Sequence, residues 1–152
     1  MAASRRAGSR PRPAAPGSER RLARAARQVL AWEGARGKHV RVDLTLLPGR
    51  AMRRLSRRAT GRHGLTDVIA FALPQPDGRV VGDVYICPDA ARQSVGSGRR
   101  AAGTVQDEMI RLVVHGTLHV LGYDHPEGPG RTRCAMWRRQ ERYVHRLANR
   151  AR

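Results

Sequence analysis

Three of the six histidines in this chain lie within eleven residues, in the segment HGTLHVLGYDH at 115–125. His115 and His119 are four positions apart, so a helix would place both rings on one face, one turn apart. Gly122 can adopt the left-handed conformation that turns a chain at a helix end, which would bring His125 back toward that face. The spacing therefore predicts a helix that ends near Gly122, with three imidazoles converging beyond it.

Three neutral imidazoles are a donor set typical of zinc, and they leave the fourth tetrahedral position open to water. We therefore predict one Zn²⁺ per chain, bound by His115, His119 and His125. An open position is typical of a catalytic zinc, whereas structural zinc ions are closed by four protein ligands. The remaining histidines lack this spacing and are interpreted as ordinary packed or surface residues: His39, His63 and His145.

The same histidine spacing occurs in the long signature of zinc proteases, where a glutamate follows the first histidine and acts as general base. In this chain that position is Gly116. Without the carboxylate, peptide hydrolysis by that route lacks its base. The motif therefore predicts metal binding but not peptidase activity.

The charge of the chain is strongly positive, with 30 Lys and Arg against 12 Asp and Glu and a formal net charge of +18. A field of this sign attracts polyanions. Lys38 is the only lysine, and a GC-rich genome would explain the choice of arginine over lysine. Such a bias does not explain the shortage of acidic residues, so the composition favours contact with nucleic acid or the ribosome.

The length of 152 residues suits one domain. Residues 1–17 are rich in arginine, alanine and proline, and they predict a disordered basic arm before a single domain at 18–152. No apolar run approaches the roughly 20 residues that cross a bilayer, so no membrane association is expected. Cys87 and Cys134 are isolated from each other, which favours free thiols in a reducing, cytoplasmic compartment.

The strand pattern predicts a small mixed sheet. Val40, Val42, Leu44 and Leu46 alternate with polar residues, which indicates a half-buried strand. The segment TDVIAFAL at 66–73 is apolar on both faces and predicts a central strand. VVGDVYI at 80–86 predicts a second buried strand.

Helices are predicted around this sheet, which makes the fold class α+β with the zinc site at the C-terminal end of a central helix. Ser18 can cap a first helix from Glu19 to Gly34. Thr104 and Asp107 resemble a capping box at the start of the long central helix. The other predictions are a short helix after Pro48, a second from Pro88, a loop at 94–98, and a last helix at 132–149.

The segment HGTLHVLGYDH closely resembles the HGxLHLxGYDH signature of the YbeY family, which are bacterial zinc-dependent endoribonucleases of rRNA maturation and ribosome quality control. TDVIAF resembles the family's TDVLSF strand, and VVGDVYI resembles its LGDIxI strand. Met136 and Glu141 match positions in its closing helix, so the resemblance covers most of 40–145. It implies a zinc ion on the three histidines, single-stranded RNA as substrate, maturation of the 16S rRNA 3′ end, and the small ribosomal subunit as partner.

The chain departs from the family in an LN-x-x-YR stretch that precedes the TDVLSF strand and whose arginine is associated with activity. Here LSRRAT places Ser56 at the asparagine position and Thr60 at the arginine position. We hypothesise that Arg58 or Arg62 supplies the missing positive charge from a neighbouring position.

Zinc can lower the pKa of bound water to about 7, so hydroxide could attack phosphorus or deprotonate the adjacent 2′-hydroxyl, and the sequence leaves both routes open. Asp124 could act as a proton shuttle or as the partner that fixes an imidazole tautomer, and the second role is favoured. Two other functions stay open. The protein could be a ribosome assembly factor with a structural or weakly active zinc site, or a zinc hydrolase with another substrate.

Overall fold

The computed structural model describes residues 16–98 and 103–151. This part of the chain forms an α+β fold, as the sequence predicts. The strands are β1 (Val40–Leu46), β2 (Val68–Pro74) and β3 (Val80–Ile86). The α-helices are α1 (Pro16–Trp32), α2 (Gly49–Thr60), α3 (Pro88–Gly96), α4 (Val105–Val120) and α5 (Ala135–Arg150), and two short 3-10 segments lie at Gly34–Arg36 and Gly128–Arg133.

The three strands form one mixed sheet in the order β1-β3-β2. β3 lies in the centre, parallel to β1 and antiparallel to β2. The prediction that 66–73 is a central strand is therefore wrong in position, because β2 lies at an edge of the sheet. The strand is apolar because helix α4 packs against it, and not because it has a neighbouring strand on each side.

Helix α4 is the centre of the fold and packs against α1, α3, α5, β2 and β3. Every residue from Glu108 to Leu118 except Arg111 is buried. The predicted capping box is present, since the Thr104 side chain accepts from Asp107 N while Asp107 accepts from Thr104 N. The cap fixes where α4 starts, and therefore which residues reach its C-terminal end.

Two glycines let α4 lie close to the central strand. A Cβ atom at Gly82 in β3 would come within 2.5 Å of Val120 Cγ1, and one at Gly116 in α4 would come within 2.6 Å of Val84 Cγ1. Real Cβ atoms essentially never approach so closely. The helix can therefore rest on the sheet at this distance only because both positions lack a side chain.

Several helix boundaries differ from those predicted. α1 begins at Pro16 instead of Glu19, because proline is well suited to the first turn of a helix. Apart from this start, the predicted arm at 1–17 lies outside the described residues. α3 continues to Gly96, so the predicted loop at 94–98 begins only at Ser97. The last helix begins at Ala135, after a 3-10 segment that the sequence did not indicate.

Among residues 16–98 and 103–151, none of the helices combines the length and the apolar character needed to cross a membrane.

Candidate metal centre

The C-terminal end of α4 brings the three clustered histidines together. His115 and His119 lie on its last turns, and Gly122 follows with φ +92°, the left-handed conformation that returns the chain toward the helix. The Nε2 atom of His119 lies 3.1 Å from that of His115 and 3.2 Å from that of His125. The third distance, from His125 to His115, is 3.3 Å. The three Nε2 atoms thus face one another around a common point.

The opposite nitrogen of each ring contacts an oxygen atom. His115 Nδ1 lies 2.7 Å from Gln140 Oε1, on the buried side of α5. His119 Nδ1 lies 3.0 Å from the backbone oxygen of Tyr123, and His125 Nδ1 lies 3.1 Å from that of Pro126. Because a backbone oxygen can only accept, these two Nδ1 atoms carry the proton and donate.

Gln140 orients the ring of His115 in the same way. Its Nε2 donates to Glu141 Oε1 at 3.2 Å, which leaves its oxygen facing His115. All three rings therefore present an unprotonated Nε2 to the centre. Three lone pairs at this separation repel one another unless a cation lies between them, so the arrangement is suited to hold a metal ion.

Burial favours the neutral form of His115 and His119. It lowers the pKa of His115 to about 4, although the hydrogen bond that His115 Nδ1 donates to Gln140 Oε1 acts in the opposite direction, and the charge of Arg131 acts in the same direction as burial. Burial also lowers the pKa of His119, and the charge of the neighbouring His125 lowers it further. A metal ion needs unprotonated imidazole, and at neutral pH these two rings are already in that form.

The histidines lie in the wall of a cleft of about 730 Å³. Its lining also includes Ser56 and Thr60 of α2, Asp67 just before β2, the start of β2 and the loop after α4. In the described part of the chain, no other group of histidine, cysteine or carboxylate ligand atoms converges in this way. A metal ion held by the three rings would therefore face open space on the cleft side.

The charged candidates differ in their positions relative to the cleft. Arg62 lines it and pairs with Glu127, another lining residue. Arg58 is exposed on α2 and does not line it. Asp124 lines the cleft, but its carboxylate accepts from the backbone N of His125 and from none of the three rings. The favoured role of Asp124 in fixing a tautomer is thus filled by other groups.

A second polar cluster anchors the loop that carries His125. The Glu33 carboxylate, whose side chain is 3% exposed, accepts from Tyr123 Oη at 2.7 Å, from Arg139 at 2.9 Å and from Tyr143 Oη. Burial alone would raise its pKa, but the hydrogen bonds from Tyr143, Tyr123 and Arg139 outweigh it, and the pKa lies below its usual value. The first helix is thereby linked to Tyr123, whose backbone oxygen contacts His119.

Reading the sequence did not identify Gln140 or Glu33 as part of the site. Gln140 lies on the buried face of α5, together with Met136 and Tyr143. A polar residue in an otherwise apolar stripe is the signal that could have identified it. Glu33 follows the end of α1 and carries no comparable signal, because a glutamate at that place is ordinary on a helix surface.

Comparison with known proteins gives consistent matches. A family model described as Endoribonuclease YbeY matches residues 14–148. A relative named Endoribonuclease YbeY from Chlorobium phaeovibrioides is 37% identical over 130 residues, covering 83% of this chain and 80% of the relative. One of the same name from Thermobifida fusca is 40% identical over 124 residues, covering 74% and 76%. Among solved structures, the solution structure of TM1509 from Thermotoga maritima matches with a TM-score of 0.62 and 26% identity, covering 90% of this chain and 87% of that one.

Proposed function

This chain belongs to the endoribonuclease YbeY family, and from that membership we propose that it is a zinc-dependent endoribonuclease that cleaves single-stranded RNA. The observation that carries the proposal is the convergence of three unprotonated Nε2 atoms at an open cleft. We further propose rRNA as the substrate, including the 3′ end of 16S rRNA, with the small ribosomal subunit as partner and the cytoplasm as the location.

The spacing of the nitrogens supports zinc. Zinc binds imidazole at about 2.0–2.1 Å, and tetrahedral geometry then separates its ligand nitrogens by about 3.3 Å. The Nε2 atoms are 3.1, 3.2 and 3.3 Å apart. His115, His119 and His125 would therefore hold the ion with little rearrangement.

When bound, zinc would lower the pKa of a coordinated water to about 7 and offset negative charge on a phosphoryl oxygen. The chain's own residues would position the RNA and move protons. Asp124 is exposed in the cleft next to His125, where its carboxylate could take up or release a proton. Arg62 would add positive charge at the rim once RNA competes with Glu127 for it.

The surface beside the cleft supports a polyanionic substrate. Helix α2 contributes Ser56 and Thr60 to the lining, and the stretch 49–63 contains no acidic residue. Its exposed cations are Arg50, Arg53, Arg54, Arg57, Arg58 and Arg62. A helix of this charge next to the cleft would attract the phosphate backbone and guide it to the metal.

Cleavage of a labelled single-stranded oligoribonucleotide by the purified chain tests the proposal. We expect cleavage that stops with a chelator, returns with added Zn²⁺, and is absent in the ligand variant His125→Asn. The matched control is His63→Asn, at an exposed position that does not line the cleft, which should cleave normally. Zinc-loaded protein that leaves the RNA intact would overturn the proposal.

A second function, ribosome assembly without cleavage, is favoured by one observation. The exposed side of α5 carries a row of arginines spaced by four residues, at Arg138, Arg142, Arg146 and Arg150. Binding to small subunits that is lost when this row is neutralised, together with no zinc-dependent cleavage, would favour this alternative.

A further inference from the structure

Two arginines line the metal cleft, and only one of them is paired with a carboxylate among the described residues. Arg62 pairs with Glu127 across the rim. Arg131 also lines the cleft, and within 16–98 and 103–151 no ion pair engages its guanidinium. A phosphate entering the cleft would therefore meet one cation that is already neutralised and one that is available.

The backbone places Arg131 close to the ligand rings. It belongs to the 3-10 segment Gly128–Arg133, which follows His125 and leads directly into α5. The backbone oxygen of Arg131 accepts from Cys134 Sγ at 3.0 Å, and Cys134 is the N-cap of α5. Arg131 lines the same cleft as all three histidines.

We propose that Arg131 binds the scissile phosphate of the RNA and stabilises the negative charge that develops on it, an inference that rests on the proposed function. In either route of cleavage, an oxygen forms a new bond to phosphorus while the bond to the leaving oxygen breaks, and that oxygen takes a proton. The phosphoryl group carries one additional negative charge between these events. A guanidinium can donate to two of its oxygens at once.

The charge of the metal site explains why such a cation is needed. A zinc ion bound by three neutral imidazoles would keep its full charge, but it would offset the charge on only part of the phosphoryl group. The other oxygens need donors from the protein. Arg58 does not line the cleft, and Arg62 would first have to leave Glu127, so Arg131 fits this role better than the two arginines that the sequence suggested.

The test compares Arg131→Ala with Arg133→Ala, a variant that removes the same charge from an exposed residue of the same segment that does not line the cleft. For the zinc-loaded enzyme we expect kcat to fall about 100-fold in Arg131→Ala, with KM changing much less. Arg133→Ala should stay within about threefold of wild type, the size of an exposed charge effect. Arg131→Lys should recover part of the loss, because lysine restores the charge but not the paired donors. Zinc content should be unchanged in all variants.

A binding measurement on the metal-free protein provides a second readout that does not need cleavage. The probe is a fluorescein-labelled single-stranded 2′-O-methyl oligoribonucleotide, followed by anisotropy at several salt concentrations. Arg131→Ala should bind it about tenfold more weakly than Arg133→Ala, with a salt slope smaller by about one. Equal binding and equal kcat in the two variants would overturn this inference while leaving zinc-dependent cleavage by the wild type intact. Failure of the wild type to cleave would instead count against the proposed function.

Discussion

Gln140 Oε1 lies 2.7 Å from His115 Nδ1, so a side chain of α5 fixes the orientation of a ring on α4. The other two rings of the site are held by backbone oxygens of Tyr123 and Pro126. A substitution at Tyr123 or Pro126 keeps the backbone oxygen and can affect the contact only by shifting the loop, whereas the contact to His115 depends on the side chain of one residue. Among the residues that hold the rings from outside, Gln140 is therefore the one where a substitution should weaken the site most.

Replacement of Gln140 by methionine tests this dependence. Methionine fills a similar volume but offers no strong acceptor, so we expect the zinc affinity to fall about 10- to 100-fold. Gln140→Glu is the matched variant, because its carboxylate can accept from the same Nδ1–H; it cannot donate to Glu141, but it should keep more of the affinity than methionine does. Competition with a chromophoric chelator measures both, and equal affinities for the two variants would contradict the assignment.

The lowered pKa of His115 predicts a pH-dependent stability of the metal-free protein. The pKa is about 4 in the folded chain and 6.5 for an unperturbed histidine, so between these values only the unfolded chain takes up the proton. The contribution of the neutral ring is complete above pH 6.5 and is lost as the pH falls toward 4. From pH 7 to 5.5 it should lower the free energy of unfolding by about 1 kcal/mol.

Urea unfolding at these two pH values, with a chelator present, provides the measurement. Carboxylates with ordinary pKa values stay largely ionised in this window, so they contribute little. In His115→Gln the decrease should be smaller by about 1 kcal/mol. His119 would still contribute in the same direction, since its pKa is also lowered. A variant with the same pH dependence as wild type would show that His115 does not titrate in this way.

Removal of either tyrosine hydroxyl that donates to Glu33 should lower the stability of the protein, but only one of the two changes should weaken metal binding. Tyr123→Phe and Tyr143→Phe each remove one hydrogen bond to the same carboxylate, and each should lower the free energy of unfolding by about 1.5–3 kcal/mol. Only Tyr123 also contacts one of the proposed metal ligands, because its backbone oxygen lies 3.0 Å from His119 Nδ1. We therefore expect about tenfold weaker zinc binding in Tyr123→Phe and no change in Tyr143→Phe. Isothermal calorimetry measures the zinc affinity of both variants, and thermal unfolding measures their stability. Equal zinc affinities in the two variants would contradict this expectation.

Gly116 and Gly96 should respond in opposite directions to the same substitution. A Cβ at Gly116 would come within 2.6 Å of Val84 Cγ1, whereas one at Gly96 in α3 meets nothing within 4 Å. We expect Gly116→Ala to lower the free energy of unfolding by about 1–3 kcal/mol, although alanine is the better helix former. Gly96→Ala should leave it unchanged or raise it by about 0.5–1 kcal/mol. Urea denaturation checks both, and a neutral Gly116→Ala would mean that β3 can shift away from α4.

The convergence of the three histidines was predictable because its geometry is local. The spacing of His115 and His119 and the conformation of Gly122 follow from the properties of a helix and its end, and so does the capping box at Thr104. The place of β2 in the sheet was not predictable from its apolar pattern, since strand order depends on contacts with distant elements. Gln140 contacts the buried side of the His115 ring and Arg131 lines the cleft. Both lie beyond the motif, and their positions depend on how α5 and the segment before it pack against α4.

The missing side chain at position 116 also limits how this lineage could change. A single-nucleotide change can convert a glycine codon to a glutamate codon, and glutamate at position 116 would complete the sequence of the zinc-protease motif. That glutamate would have to share space with Val84 of the central strand, so a viable intermediate would first need substitutions in the sheet. The close packing of α4 on β3 thus separates this scaffold from the zinc-protease motif by more than one substitution.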